Sequence, residues 1–305
     1  MEPSVAILPE PADYLVHAIR AGGGVVEPLS AATRGLVLTG GLSQDALETL
    51  LSQHPRLEWI QLPLAGVDAY EELMQRNPDR QWTSGKGAFA QPVGEFALAL
   101  TLAVLRSVDT FARARSWGTP QGISLHGKRV VIVGAGGVGQ EILRLVSAFT
   151  DHVTVVRAHP RPVPGAEKTV TDEGLDDALG EADVLILAAA MTAGTEHLID
   201  ARRLALLRPA AFLVNIARGP LVDTDALVEA LSQGRLAGAA LDVTDPQPLP
   251  DGHPLWNEPR ALITPHSGET QAMIRPHFAR RVEHNVRSLA AGTPLEGLVD
   301  VRAGY

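Results

Sequence analysis

Residues 128–133 form a β-branched, buried-strand pattern that runs without a break into Gly134-Ala135-Gly136-Gly137-Val138-Gly139, and residues 140–149 then take up a helical period. A strand, a glycine turn and a helix in that order leave few options. Gly134 permits the tight turn, Gly136 lets the backbone come close to a pyrophosphate, and Gly139 lets helix and strand pack closely. The helix N-terminus then points at the anion, with Gly137 and Val138 supplying backbone amides, so the segment predicts a dinucleotide site. Just upstream, residues 122–128 spell G-x-x-x-x-G-K, but Arg129 stands where a Ser or Thr would hold magnesium, and these glycines precede the strand. That excludes a nucleotide triphosphatase loop.

The rest of the chain repeats the alternation. Short β-branched runs at 5–8, 35–38, 59–62, 130–133, 153–156, 184–187, 213–215, 239–243 and 262–264 are separated by stretches of helical period. This is the signature of parallel α/β architecture. Ser43 is placed to cap a helix over 44–52 and Thr224 one over 225–232. Residues 91–106 and 273–290 read as long helices, 116–127 as irregular, 157–165 as an exposed loop, and 295–299 as the lead into an extended tail. The 305 residues suit two domains. We expect a substrate domain over 1–98, completed by 286–305, and a dinucleotide-binding domain over 99–285.

Composition removes other classes. Lys and Arg number 26 against 35 Asp and Glu, a net charge of −9, and no basic run is present. Nucleic acid is therefore not an expected partner. The longest apolar stretch, near 96–105, has about half of the ~20 residues a bilayer span needs, so no membrane association is expected. Residues 1–10 lack the marks of a signal peptide, which makes a cytoplasmic location the default. With no cysteine, thiolate metal sites are impossible, and His277 and His284 fall outside the His-Glu-x-x-His spacing. No metal is expected.

About twenty residues after the glycine turn, an acid would bind the ribose of NAD. Here the strand ends Val155-Val156-Arg157 and Arg161 follows. Two guanidiniums can hold a 2′-phosphate by charge-assisted bonds, so NADP(H) is expected to be preferred, with NAD(H) as the alternative. Three later strands end in chemistry. Leu213-Val214-Asn215 leads to Arg218-Gly219, a candidate carboxylate clamp. Asp242 interrupts an apolar run and needs a partner or a ligand. Leu262-Ile263-Thr264-Pro265 leads to His266, suited to proton transfer near neutral pH.

In this order these segments resemble the D-isomer-specific 2-hydroxyacid dehydrogenases, most closely the glyoxylate/hydroxypyruvate reductase branch. The likeness rests on Leu64-Ala65-Gly66-Val67-Asp68, Pro92-Val93-Gly94-Glu95, Trp117, the 134–139 turn, Asn215-Ile216-Ala217-Arg218-Gly219-Pro220-Leu221-Val222-Asp223 and Leu241-Asp242-Val243. It continues through His253-Pro254-Leu255-Trp256, Ile263-Thr264-Pro265-His266 and a Val299-Asp300…Gly304-Tyr305 ending. The resemblance implies two doubly wound parallel-sheet domains, a Rossmann cofactor domain and a smaller flavodoxin-like substrate domain, closing over a small 2-oxo or 2-hydroxy acid. It implies that Arg218 binds the carboxylate and carbonyl, that His266 donates a proton, and that the amides of Ala65, Gly66 and Val67 complete the anion site. Thr192, Thr195, Ala217 and Asp242 fall to the cofactor, and a homodimer is built through 91–127.

Two departures stand out. The family usually pairs its histidine with a glutamate, but Asp245-Pro246-Gln247-Pro248-Leu249-Pro250 places Gln247 there, with Asp245 two residues away. A neutral amide orients the ring without stabilising its cation, so His266 is expected to titrate near the unperturbed ~6.5. That leaves two rivals to a 2-oxo acid reductase: hydride transfer of the formate dehydrogenase type, which also pairs Gln with His, and a non-catalytic NAD(P)-sensing protein. The second departure is Ala190-Met191 before Thr192, where the family commonly has Pro-Leu, and it puts the stiffness of that loop in question.

Overall fold

A computed structural model describes residues 2–40 and 42–304; Gly41 and Tyr305, the latter part of the expected family-like ending, lie outside the described residues. The chain divides into two compact units, 1–89 with 270–305, and 90–269. The crossings fall at 89/90 and 269/270 instead of 98/99 and 285/286. Packing sets both positions, as each connecting helix belongs whole to one unit.

In the first unit, β1 (Ser4–Leu8), β2 (Val25–Val26), β3 (Gly35–Leu38), β4 (Trp59–Gln61) and β5 (Gln81–Thr83) form a parallel sheet of order β2-β1-β3-β4-β5. This is the flavodoxin-like order. Helices α1 (Asp13–Ala21), α2 (Gln44–Gln53) and α3 (Glu71–Arg76) join its strands. Ser43 caps α2 as expected, its hydroxyl accepting from the Ala46 N–H. The closing helix α10 (Gln271–Ala291) lies along α1, where an added Cβ on Gly22 or Gly24 would stand 2.8 or 2.7 Å from Val286 side-chain atoms. Past it, the tail pairs with β5 through Thr83 and Leu298, then closes as a turn on Asp300 instead of extending. Asp300 Oδ1 accepts the N–H groups of Arg302 and Ala303, which a straight tail would leave unpaired.

The second unit holds β6 (Val130–Val133), β7 (Val153–Val156), β8 (Lys168–Val170), β9 (Val184–Leu187), β10 (Phe212–Asn215), β11 (Gly238–Leu241) and β12 (Ala261–Ile263). Their order, β12-β11-β10-β9-β6-β7-β8, is that of a Rossmann sheet with one further strand, parallel throughout. Its central strands are buried on both faces, which explains their unbroken apolar runs. Helix α4 (Ala90–Leu105) belongs here because Ala97, Leu100, Val104 and Leu105 share a core with Ile132, Ile142 and Val146. An added Cβ on Gly94 would stand 2.6 Å from Glu141 Cγ, so glycine is what lets α4 cross α6 (Gly137–Val146) closely. Helices α5 (Val108–Arg113), α7 (Leu175–Glu181), α8 (Ala201–Leu206) and α9 (Thr224–Ser232) complete the unit.

The sequence reading missed β2, β5 and β8. All three are edge strands of only two or three residues, too short to write a recognisable pattern. Capping of α9 also differs. Asp223, not Thr224, accepts the Ala226 N–H, because the helix begins one residue earlier than expected.

Candidate active site

Register aligns the chemistry. Val133 pairs with Val156 and Leu187, Asn215 with Leu187 and Leu241, and Leu241 with Ile263. The strands therefore end level, and Gly134, Arg157, Arg218, Asp242 and His266 all follow the carboxyl ends of parallel strands, where such sheets bind ligands. A groove flanked by Arg129, His152, Glu167 and Glu181 lies at the opposite ends of β6–β8, and its charges are paired with one another.

The glycine turn fits a dinucleotide on three counts. Gly134 has a φ of +113° and an added Cβ there would lie 2.5 Å from the Ala188 carbonyl oxygen; at Gly139 the same atom would lie 2.0 Å from the Gly134 oxygen. Gly136 is exposed and an added Cβ would meet nothing within 4 Å, so the space beside it is open. No side chain caps α6, so the amides of its first turn, at Gly137, Val138 and Gly139, face outward without a capping acceptor. Beside the turn, Gly134 N–H bonds the Val156 carbonyl, and Arg157 Nη1 donates to the Arg161 carbonyl at 3.2 Å, curling both arginines onto one loop. Across the sheet, Thr195 stiffens the loop after β9. Its hydroxyl donates to the Ala190 carbonyl at 2.8 Å and accepts from the Thr192 N–H at 2.8 Å.

Arg218 is held by its own segment. Buried Asn215 accepts from the Ala217 N–H at 3.0 Å and donates to the Arg218 carbonyl at 2.8 Å, while Arg218 Nη1 donates to the Ala217 carbonyl. At Gly219 an added Cβ would fall 2.0 Å from the Thr244 oxygen. No larger residue fits there.

Asp242 sits one residue beyond β11, not within it as the sequence suggested. Only 2% exposed, its carboxylate accepts from Thr264 Oγ1 (2.6 Å), Ser267 N–H (2.7 Å) and Gly268 N–H (2.8 Å). These bonds tie the acid that the sequence reading placed beside the cofactor to the loop that carries His266. His266 itself has a φ of +53° and donates its N–H to the Asp242 carbonyl. A β-carbon at positive φ is strained, and this anchored turn over-determines it. Gln247 Nε2 lies 2.9 Å from His266 Nδ1. A side-chain amide at this distance can donate to Nδ1 of the neutral ring or, turned over, accept from Nδ1–H of the imidazolium.

Sequence reasoning missed Glu269. Burial pushes its carboxyl up, Arg218 opposes the shift and Asp242 adds to it, so three charged groups share this corner. Neither its spacing nor its neighbours in sequence mark it. Asn215 was traceable, because a buried amide at a strand end needs partners.

In the other unit, Ala65, Gly66 and Val67 follow β4. Among the described residues their N–H groups find no protein acceptor, and Gly85 N–H holds the preceding Leu64 carbonyl at 2.8 Å. No described helix is long and apolar enough to cross a membrane.

A glycine turn fitted to a dinucleotide and a histidine both follow the carboxyl ends of one parallel sheet, the arrangement of a Rossmann-type oxidoreductase. Residues 96–268 match the model for the D-isomer specific 2-hydroxyacid dehydrogenase NAD binding domain, and the chain belongs to that family. An uncharacterized protein in the proB 3′ region of Corynebacterium melassecola is 37% identical over 82% of this chain and 84% of its own. The glyoxylate reductase of Thermofilum pendens is 30% identical over 98% of this chain and 91% of its own. A D-isomer specific 2-hydroxyacid dehydrogenase from Xanthobacter autotrophicus Py2, solved with NADPH and MES, superposes with a TM-score of 0.87 at 27% identity over the whole of both chains. The protein is thus an NAD(P)-dependent 2-hydroxyacid dehydrogenase whose reaction class is reduction of 2-oxo acids.

Proposed function

We propose that the protein reduces a small 2-oxo acid of the glyoxylate or hydroxypyruvate type to the D-2-hydroxy acid, with NADP(H) preferred over NAD(H). The observation that carries the reading is the Gln247–His266 pair, 2.9 Å apart, which orients the imidazole as a proton donor beyond the carboxyl ends of the cofactor sheet. The bound reduced cofactor supplies the hydride. Arg218 binds the substrate carboxylate and carbonyl, with bidentate geometry that fixes the carbonyl's orientation. His266, as the imidazolium with Gln247 turned to accept from Nδ1–H, gives its Nε2 proton to the carbonyl oxygen as negative charge develops there and is left as the neutral ring. The amides of Ala65, Gly66 and Val67 hold the carboxylate. Gly134, Gly136, Gly137, Val138 and Gly139 cradle the pyrophosphate, with Thr192, Thr195 and Ala217 beside the cofactor. Arg157 and Arg161 take the 2′-phosphate, a preference that the NADPH-bound Xanthobacter relative supports.

In this reading Asp242 acts by holding the His266 turn. The homodimer falls at 91–127, where Val108, Phe111, Trp117 and Ile123 are exposed, Trp117 completely. A cytoplasmic location belongs to the same reading. The same Gln247–His266 pair favours a second one, hydride removal from formate, which needs no proton donor.

Oxidation of NADPH and of NADH with glyoxylate and with hydroxypyruvate, followed from about pH 5.5 to 8.5, tests the proposal. NADPH-linked turnover that declines with pH is expected. Silence with both acids despite NADP(H) binding overturns it, and formate oxidation is then the assay for the second reading.

A further inference from the structure

Among the buried side chains of helix α10, Phe278, Arg281 and Asn285 share one face at spacings of three and four residues. Two of them are polar, and neither reaches solvent freely. Arg281 is 9% exposed and Asn285 0%. Burial lowers the Arg281 guanidinium, and Glu296 opposes that shift. A cation so placed needs a full set of acceptors. It donates from Nη1 to the Ser84 carbonyl at 2.7 Å and from Nη2 to the Lys86 carbonyl at 2.9 Å, while Nε lies 3.5 Å from Glu296.

These carbonyls flank Gly85, whose N–H bonds the Leu64 carbonyl at 2.8 Å. The contact from Arg281 therefore ends on the residue before Ala65. Asn285 makes a second route. Its Nδ2 donates to Gln61 Oε1 at 3.2 Å, and Gln61 Nε2 donates to the Leu62 carbonyl at 3.0 Å. Phe278 closes the face. Its ring lies 6.2 Å from that of Phe89, and Phe89 packs so closely on Gly85 that an added Cβ there would stand 2.4 Å away.

We infer that Arg281 and Asn285 are positioning residues that fix the backbone entering this loop at Leu62 and Leu64, so that the amides of Ala65, Gly66 and Val67 are pre-set for the substrate carboxylate. A buried arginine spent on two loop carbonyls is otherwise a costly way to close a helix on a sheet, which apolar side chains do equally well. The inference rests on the proposal that this loop binds the 2-oxo acid.

Two variants disturb the Arg281–Ser84 contact. Arg281→Met removes the guanidinium, and Gly297→Ala crowds both of its partners, because the added Cβ would stand 1.8 Å from Nη1 and 2.6 Å from the Ser84 carbonyl oxygen, at a φ of +72°. The full-length protein with NADPH bound is compared with each variant by backbone hydrogen exchange and by steady-state kinetics with glyoxylate. Exchange at 62–67 and 84–86 is expected to rise about tenfold, while β1 stays protected. KM for glyoxylate rises about tenfold, kcat stays within about twofold, and NADPH affinity is unchanged. Arg281→Lys restores part of the KM. Unchanged exchange at 62–67 in both variants overturns the inference, as does a uniform rise across the unit with no KM change. Gly66→Pro, which deletes one amide directly, separates the two ideas. If it leaves KM alone, the substrate reading of the loop fails; if it raises KM while Arg281→Met and Gly297→Ala do not, the positioning role fails.

Discussion

The amide nitrogen of Gln247 faces Nδ1 of His266 at 2.9 Å, and a half-turn of that amide would present an oxygen instead. One residue thus serves both the neutral ring, by donating, and the cation, by accepting. What it does not supply is charge. The pair keeps the geometry of a proton donor while giving the imidazolium no carboxylate to lean on.

Gln247→Glu adds that charge. The reductive kcat profile is expected to move to higher pH by about 1–2 units, because a nearby anion favours the protonated ring. An unmoved profile in a pH series with glyoxylate shows that the pair does not govern proton donation.

Arg157→Asp should lower the NADPH/NADH ratio of kcat/KM by about a hundredfold, since a carboxylate facing the 2′-phosphate is repelled. Competition assays with both cofactors read this directly. An unchanged ratio places the phosphate elsewhere.

Asp242→Asn leaves at least one N–H of the Ser267–Gly268 turn without its acceptor, at a cost of about 1–3 kcal/mol. With the positive φ of His266 no longer held, kcat should fall about tenfold or more while NADPH affinity stays near that of the parent. A large loss of cofactor affinity with kcat preserved would return Asp242 to the cofactor.

Glu269 links stability to pH. Burial raises its carboxyl above the ordinary 4.5, so the folded state holds a proton that the unfolded chain has released. Stability from this group is complete below pH 4.5 and is lost as pH rises through the raised value. Glu269→Gln should therefore raise Tm at pH 7 to 8 and change it little below pH 4.5. An equal gain at all pH values would mean that the group's charge is not the cause.

Gly219→Ala drives a Cβ to 2.0 Å from the Thr244 oxygen, a backbone clash that no rotamer relieves. A loss of at least about 3 kcal/mol is expected in urea unfolding.

Much was legible in the sequence because it lies in short segments with their own logic. A central strand buried on both faces must be apolar along its length, so β6, β7, β9 and β10 announce themselves, and the glycines at 134, 136 and 139 are dictated by a turn that excludes Cβ at two positions and leaves open space at the third. Asn215 to Gly219 and Thr264 to His266 are likewise local, each a strand end followed by a bonded loop. Edge strands β2, β5 and β8 escaped because two or three residues are too few to carry a pattern. Tertiary structure alone decided that the Asp242 carboxylate holds the His266 turn, that Glu269 joins Arg218 in a shared field, and that Arg281, nearly two hundred positions from Ser84, grips its carbonyl. These are contacts between residues remote in sequence. Their partners are set by strand register and helix face, which exist only once the chain has folded.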